Sequence, residues 1–390
     1  MNYSFVSLVL FTVGLALPFS IAGSNMAGAL LALALLLRAR TDGAKMAAAW
    51  RREPALAALA LYAAAGLIAA ALSAAPSESL RDAVKDLHRL VTLGLLVAAL
   101  ALEPKTKLRS ALGISFSAMA LYGLWQSAHS GPSFGAFRAR AFVHPVVFGE
   151  QMALAVLGGV CILIRPTPSA GRRAAAIFTC LVFAALVMSQ TRMALIAAAV
   201  GFALVTLLEP RARRWSAPAL CLVAGVAAAW ELLLNNGRTL SSVFRPFDPH
   251  NSQQARFILW DVAWRMFKDH PLTGAGPGGY GRLYASYHTG IVESQDVWSN
   301  AHNLYLQQLA ERGLLGGIAL LILCGTLLAR AVRAARLEAD TRALWAAGSV
   351  AAFLAMSMTE TAFQSEQFAS LLLLIWAWGT TSLRRPGENL

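Results

Sequence analysis

Charge is scarce in this sequence. Only 14% of its 390 residues are charged while 57% are hydrophobic, and the mean hydropathy is +0.56. A soluble domain carries about 25% charged residues, so an ordinary soluble fold is excluded and an integral membrane protein is expected. Cysteine is also sparse. Cys161, Cys180, Cys221 and Cys324 all fall inside apolar runs. They offer no disulfide framework and no Cys/His zinc spacing, and they read as small buried apolar residues. Acids are outnumbered, 20 against 33 Lys and Arg. The N-terminal MNYS lacks the Lys or Arg of a cleavable signal. No internal repeat is visible.

What is present is apolar runs of membrane length. A span needs roughly 20 mostly apolar residues. Twelve are expected, at about 4–22, 24–38, 54–74, 87–102, 108–127, 146–164, 173–189, 192–208, 216–234, 313–333, 342–358 and 366–383. Three regions follow: spans one to nine in 1–234, a loop domain with amphipathic helices in 235–312, and spans ten to twelve with a tail in 313–390. Alternate connections (38–53, 103–109, 165–173, 209–214, 329–342 and the tail) carry 20 of the 33 basic residues. That is the positive-inside pattern, with both termini cytoplasmic. The net charge of +13 is therefore read as membrane topology and not as nucleic-acid binding.

The other 13 basic residues face outward, where a membrane protein needs fewer cations. In PSESLRDAVKDLHRL (76–90), Leu80, Val84, Leu87 and Leu90 form an apolar stripe, and Arg81, Lys85 and Arg89 lie four apart on another face. The bland reading is an interfacial helix with snorkelling cations; the sharper one is a basic stripe that guides a phosphorylated lipid. GPSFGAFRARAFVHPVVFGEQ (131–151) places Arg138, Arg140 and His144 in a glycine-rich loop before Pro145 opens a span. Arg192 in SQTRMALIAA lies in the short gap between two spans. A cation there is costly unless paired or functional.

The segment 252–279 reads as an amphipathic helix, with Phe257, Trp260, Trp264 and Phe267 recurring at three and four and suited to a membrane interface. Arg256 opens this helix, Arg265 follows on it, and Pro271 ends it. HPLTGAGPGGYG then supplies five glycines. GAGPGG is not a dinucleotide fingerprint, because no strand precedes it and no helix obviously follows. In SNAHNLYLQQLAERGLLGG (299–317), Ser299 or Asn300 can cap a helix that starts near His302 and runs into span ten. A lone histidine is usually structural. Here a helix N-terminus and nearby arginines both disfavour imidazolium, and a neutral imidazole facing a cavity can act as a general base.

RFILWDVAWRMFKDHPLTGAGPGGYG followed by AHNLYLQQLAERGLLG, with SQTRMA upstream, resembles the signature of the O-antigen ligase and polymerase superfamily. The motifs cover roughly 189–317. The resemblance implies an all-α, GT-C-like membrane glycosyltransferase of the bacterial inner membrane, with its active site facing the periplasm. It implies an undecaprenyl-pyrophosphate-linked glycan donor and, for the ligase, a lipid A–core acceptor, among membrane lipids and without nucleic acid. The superfamily's functional arginines fall on Arg192 and Arg256 and its histidine on His302. Arg138 and Arg140 lie where related proteins often carry an arginine, though only Pro145 matches well. Lys85 and Arg89, added from topology, join Arg138, Arg140, Arg265 and Asn303 as candidate substrate-binding residues.

The chemistry needs few parts. A sugar hydroxyl attacks the anomeric carbon of a glycosyl pyrophosphate. Arginine supplies bidentate recognition of the leaving phosphates, and one base takes the proton. His302 is that base, oriented by Asn303 or Glu311. The outward acids, Glu360 among them, form no Asp-x-Asp pair, so no metal and no other cofactor is expected. Single displacement with inversion is the simpler course. An O-antigen polymerase and a protein O-oligosaccharyltransferase would use the same chemistry. The chain ends about seven residues after span twelve, which favours the ligase over the usually longer protein-glycosylating enzymes. A lipid-linked sugar flippase is the rival from another class, though repeat symmetry and midplane helix breaks are not evident.

Overall fold

A computed structural model describes residues 4–130, 137–165, 169–215, 252–289, 298–338 and 340–381, together with isolated positions between 218 and 228. Thirteen α-helices occur among them: α1 (Phe5–Ala16), α2 (Ile21–Arg51), α3 (Pro54–Ala71), α4 (Pro76–Leu102), α5 (Leu108–His129), α6 (Pro145–Ile164), α7 (Ser169–Met188), α8 (Arg192–Leu208), α9 (Ser252–Asp269), α10 (Gly279–Tyr287), α11 (Leu304–Leu337), α12 (Thr341–Met356) and α13 (Glu366–Gly379). No strand occurs among the described residues. Helices α2, α3, α6, α7 and α11 are long and apolar enough to cross a membrane, and α1, α8 and α12 are apolar but shorter. The chain is a helical, multi-pass membrane protein. A helix stands at each of eleven expected spans; the segment 216–234 lies outside the described residues apart from isolated positions.

Local chemistry sets the helix ends. Prolines open α3, α4 and α6, where the missing amide costs nothing. Ser20, Asn303, Asp340 and Ser365 cap α2, α11, α12 and α13 with side-chain oxygens. In the bundle α12 packs on α8, α3 on α4 and α11, α6 on α7, and α13 on α12 and α4. Small residues allow the closest approach: a Cβ at Gly201 of α8 would stand 2.5 Å from the Gly348 carbonyl of α12, which suits packing where lipid gives no hydrophobic drive. Two buried tryptophan N–H groups find carbonyls, Trp345 on Leu154 at 2.7 Å and Trp376 on Leu327 at 2.9 Å.

The first half of α4 is turned the opposite way from a soluble amphipathic helix. Leu80 and Val84 are each 48% exposed, whereas Ser79, Ala83, Asp86 and Arg89 are buried. The apolar stripe faces outward and the polar stripe faces the bundle. Asp86, fully buried, pairs with Arg89 one turn away and with Arg312 of α11 at 2.6 Å. Arg312 lies over the Tyr62 ring at 4.5 Å, and Arg89 over Phe363 at 5.1 Å. A second guanidinium nitrogen of Arg89 donates to the Gln364 carbonyl at 3.1 Å.

Helix α11 breaks at Gly313, whose φ of 59° and ψ of −156° only glycine adopts readily. The loop 270–278 fills the break. Ala275 and Gly276 donate to the carbonyls of Ala310 and Glu311 at 2.9 Å, and Leu314 and Leu315 donate to Pro271 and Leu272 at 2.8 and 3.2 Å. Helix α10 follows this loop, correcting the expectation of no helix after GAGPGG. A separate small core forms there from Leu259, Val262, Met266, Tyr280, Tyr284 and Ala310. All four cysteines are free. Cys161 and Cys324 are buried as expected, but Cys180 and Cys221 are exposed.

Gly313→Ala would place a methyl group against the Leu272 carbonyl at a positive φ. The variant is expected to lose the folded, monodisperse peak in detergent size-exclusion chromatography, whereas Gly43→Ala, which meets no neighbour within 4 Å, elutes as the parent.

Candidate functional site

The site is built around a carboxylate that no local motif announces. Glu360 lies in the short connection between α12 and the 3-10 turn Ala362–Gln364. One of its oxygens receives Arg256 of α9 at 3.1 Å, and the other receives Nδ1 of His302 at 3.0 Å. A carboxylate only accepts, so Nδ1 carries the hydrogen. In the neutral ring Nε2 is then the open acceptor, the arrangement that prepares a histidine for proton abstraction. The His302 side chain is 27% exposed, and the Trp298 ring meets it edge-on at 5.5 Å.

The backbone places this ring deliberately. His302 has φ 45°, a left-handed conformation costing a non-glycine residue roughly 1 kcal/mol or more. Its amide donates to the Asn300 side chain at 3.0 Å, and Ala301 donates to Gln307 at 2.6 Å. Leu304 donates to the Ser357 carbonyl at 2.9 Å, tying the histidine loop to the segment that carries Glu360. The helix starts at Leu304, later than the sequence suggested. Asn303 is its cap, accepting from Leu306 at 3.1 Å, and His302 stands just before it. Neither Asn303 nor Glu311 orients the histidine. Glu311 accepts from the Tyr280 amide at 3.4 Å; Glu360 holds the ring.

Arg138 approaches from another side. Its guanidinium donates to the Ser189 carbonyl at 2.9 Å and the Thr191 hydroxyl at 3.2 Å, so it braces the turn between α7 and α8. Burial pulls its pKa below the ordinary arginine value, and the Glu360 charge works against that shift. Glu150 of α6 is buried and has an oxygen with no hydrogen-bond partner. Arg192 opens α8 at the turn Arg138 braces; it is exposed and makes no ion pair or hydrogen bond among the described residues.

The other candidates lie elsewhere. Arg89 is buried in the Asp86 cluster and faces inward, a correction to its place on an outward basic stripe. Lys85 is exposed and paired with Asp82 at 2.6 Å. Arg265 pairs with Asp261 at 2.6 Å one turn away. Arg140 is exposed beside Phe137, 5.3 Å from its ring. Arg256 lies in the second turn of α9, which begins at Ser252. Arg256 and His302 are thus brought together, with Arg138 in electrostatic reach through Glu360.

Among the described residues no group of three His, Cys, Asp or Glu could hold a metal ion. Two cavities, of about 370 and 350 Å³, are lined by none of Arg256, His302 and Glu360, so polar convergence and not enclosure marks this site. What sequence reasoning missed is Glu360, 58 residues from His302. Its signal in the sequence is weak: a single acid in a short connection, with no second carboxylate at metal-binding spacing beside it.

Residues 175–321 match the family model described as O-antigen ligase. The match spans Arg192, Arg256, Arg265, His302 and Asn303, and it excludes Glu360 and Arg138. No curated protein matches the chain.

Arg138→Lys keeps the charge but cannot reach two acceptors with a rigid fork. Its apparent melting temperature in detergent is expected to fall nearly as far as that of Arg138→Ala, consistent with losing about 1–3 kcal/mol of hydrogen bonding.

Proposed function

The chain is assigned through residues 175–321 to the O-antigen ligase family, and from that premise we propose that it transfers a glycan from undecaprenyl pyrophosphate to a sugar hydroxyl of lipid A–core. The observation that carries the reading is the Arg256–Glu360–His302 chain. The acceptor oxygen attacks the anomeric carbon while the bond from that carbon to the pyrophosphate oxygen breaks. The bonding electrons leave with the pyrophosphate, and the hydroxyl proton passes to His302 Nε2. Glu360 keeps the ring in the right tautomer and balances the imidazolium that forms. Arg256, Arg138 and Arg192 stabilise the leaving phosphates. The reaction is a single displacement with inversion.

Arg256 has two roles in sequence. Without donor its guanidinium is held by Glu360. A pyrophosphate is a stronger attractor for a bidentate cation, so donor binding draws Arg256 toward the phosphates and leaves the Glu360 charge to His302 alone. The base is then strongest when the donor is seated. The reading takes a route without a metal, since one carboxylate and one histidine are too few ligands to hold an ion, and the described residues bring no third beside them.

This reading takes a twelve-span topology, with both termini in the cytoplasm and His302, Arg256 and Glu360 on the periplasmic side of the inner membrane; the five helices long and apolar enough to cross a membrane support its multi-pass character. The polar side chains of the site gather at one end of the bundle, which favours a surface reaction over a transport path through the midplane.

The test is transfer by purified protein from undecaprenyl-pyrophosphate glycan to lipid A–core, with and without EDTA. The expected result is transfer indifferent to EDTA, reduced about 10²–10⁴-fold in His302→Ala. Chain growth on the donor alone would mean a polymerase, and full activity in His302→Ala would remove the histidine from the chemistry. In the same assay Glu360→Gln is expected to lower turnover while donor binding persists. In a double-mutant cycle with His302→Ala its further effect should be small, because the carboxylate acts through the ring.

A further inference from the structure

The opposite end of the bundle carries a second feature. Helix α12 starts there at Thr341 and ends at Met356, four residues before Glu360, so the two ends lie a full helix apart. At the Thr341 end, α5, α6, α7, α12 and α13 enclose a groove of about 350 Å³. Leu112, Phe116, Ile162, Phe178, Trp345 and Trp378 form its apolar walls.

The rim is basic. Arg109, Thr341 and Arg342 line it, and Arg172 and Arg173 directly follow the lining residue Gly171. Arg342 donates to its neighbour Asp340 at 2.7 Å and lies over the Trp378 ring at 5.7 Å. Asp340 is the acid at this mouth. Burial works to raise its pKa, but hydrogen bonds from Arg342 and the charges of Arg342 and Arg109 outweigh that and hold it low. Arg109 is exposed and makes no hydrogen bond or ion pair among the described residues. Several cations therefore meet one carboxylate at the mouth of an oily groove.

That combination matches one class of molecule in a bilayer. Basic pockets between membrane helices hold anionic headgroups, because guanidinium forks fit phosphate while the walls take an acyl chain. Glycine leaves the groove open: a Cβ at Gly113 or at Gly171 would meet no atom within 4 Å. We propose that this groove binds an acidic glycerophospholipid, its phosphate between Arg109 and Arg342 and one acyl chain against Trp345 and Trp378. The assignment is independent of the transfer reading, since no residue of the site around His302 takes part.

The test is native mass spectrometry of the full-length protein released from mixed micelles with equal phosphatidylglycerol and phosphatidylcholine of the same chains. The expected result is one retained phosphatidylglycerol per chain, in preference to phosphatidylcholine. Arg109→Gln should weaken that preference by roughly fivefold, the effect of one arginine near a headgroup. Gly113→Leu, which fills open space without touching a charge, should abolish retention of either lipid. Equal retention of the two lipids by the parent protein would overturn the proposal. So would unchanged phosphatidylglycerol retention in Gly113→Leu, which remains informative if the arginine variant does not fold.

Discussion

A carboxylate with no access to water, Asp86, ties together three parts of this protein that are distant in sequence. A buried charge is tolerable only when paired and hydrogen-bonded, and Asp86 has a guanidinium on each side. Arg312 brings in α11 immediately before its break. Arg89 reaches past the carboxylate to the backbone of Gln364. Three elements distant in sequence are thus fixed by one group: the start of α4, the bend of α11, and the connection before α13. That connection carries Glu360. The inverted face of α4, polar inward and apolar outward, is the visible cost of placing this cluster in a membrane bundle.

The parts of the candidate site are positioned by further contacts beside that frame. His302 precedes a helix whose first turn is tied to Ser357, and Ser357 begins the stretch that leads to Glu360. Arg256 arrives on α9, whose apolar face packs with Tyr280 and Tyr284 of α10. Arg138 is locked to the turn between α7 and α8. None of these groups is set by its own helix alone. Arg256 comes from a regular helix, whereas His302, Glu360 and Arg138 come from short irregular segments tied by backbone hydrogen bonds such as Leu304 to Ser357 and Ala139 to Met188.

Much of this was legible in the sequence, and the limits have physical causes. Hydrophobic runs located helices because a membrane imposes length and composition, and α9 followed from aromatic periodicity and Pro271. Arg256 and His302 could be singled out because each lies near the start of an expected helix and within the motifs that carry the family resemblance. Glu360 could not, because its meaning comes from two residues 58 and 104 positions away. Arg89 misled for the same reason. Four-residue spacing places it on a stripe with Arg81 and Lys85, but spacing cannot tell which stripe turns inward, and Asp86 decides that only through Arg312. The register of α11 failed at Gly313, where a positive φ and a docked loop replace a helical turn.

That docked loop belongs to the framework of the bundle as much as any helix does. Its amides and carbonyls complete the hydrogen bonding of α11 across the break, four bonds worth about 1 kcal/mol each. Lifting it would leave a membrane helix with unsatisfied backbone groups, which hydrocarbon does not tolerate. The glycine-rich stretch, so easily imagined as a hinged cover, is instead a structural piece of the helix it completes.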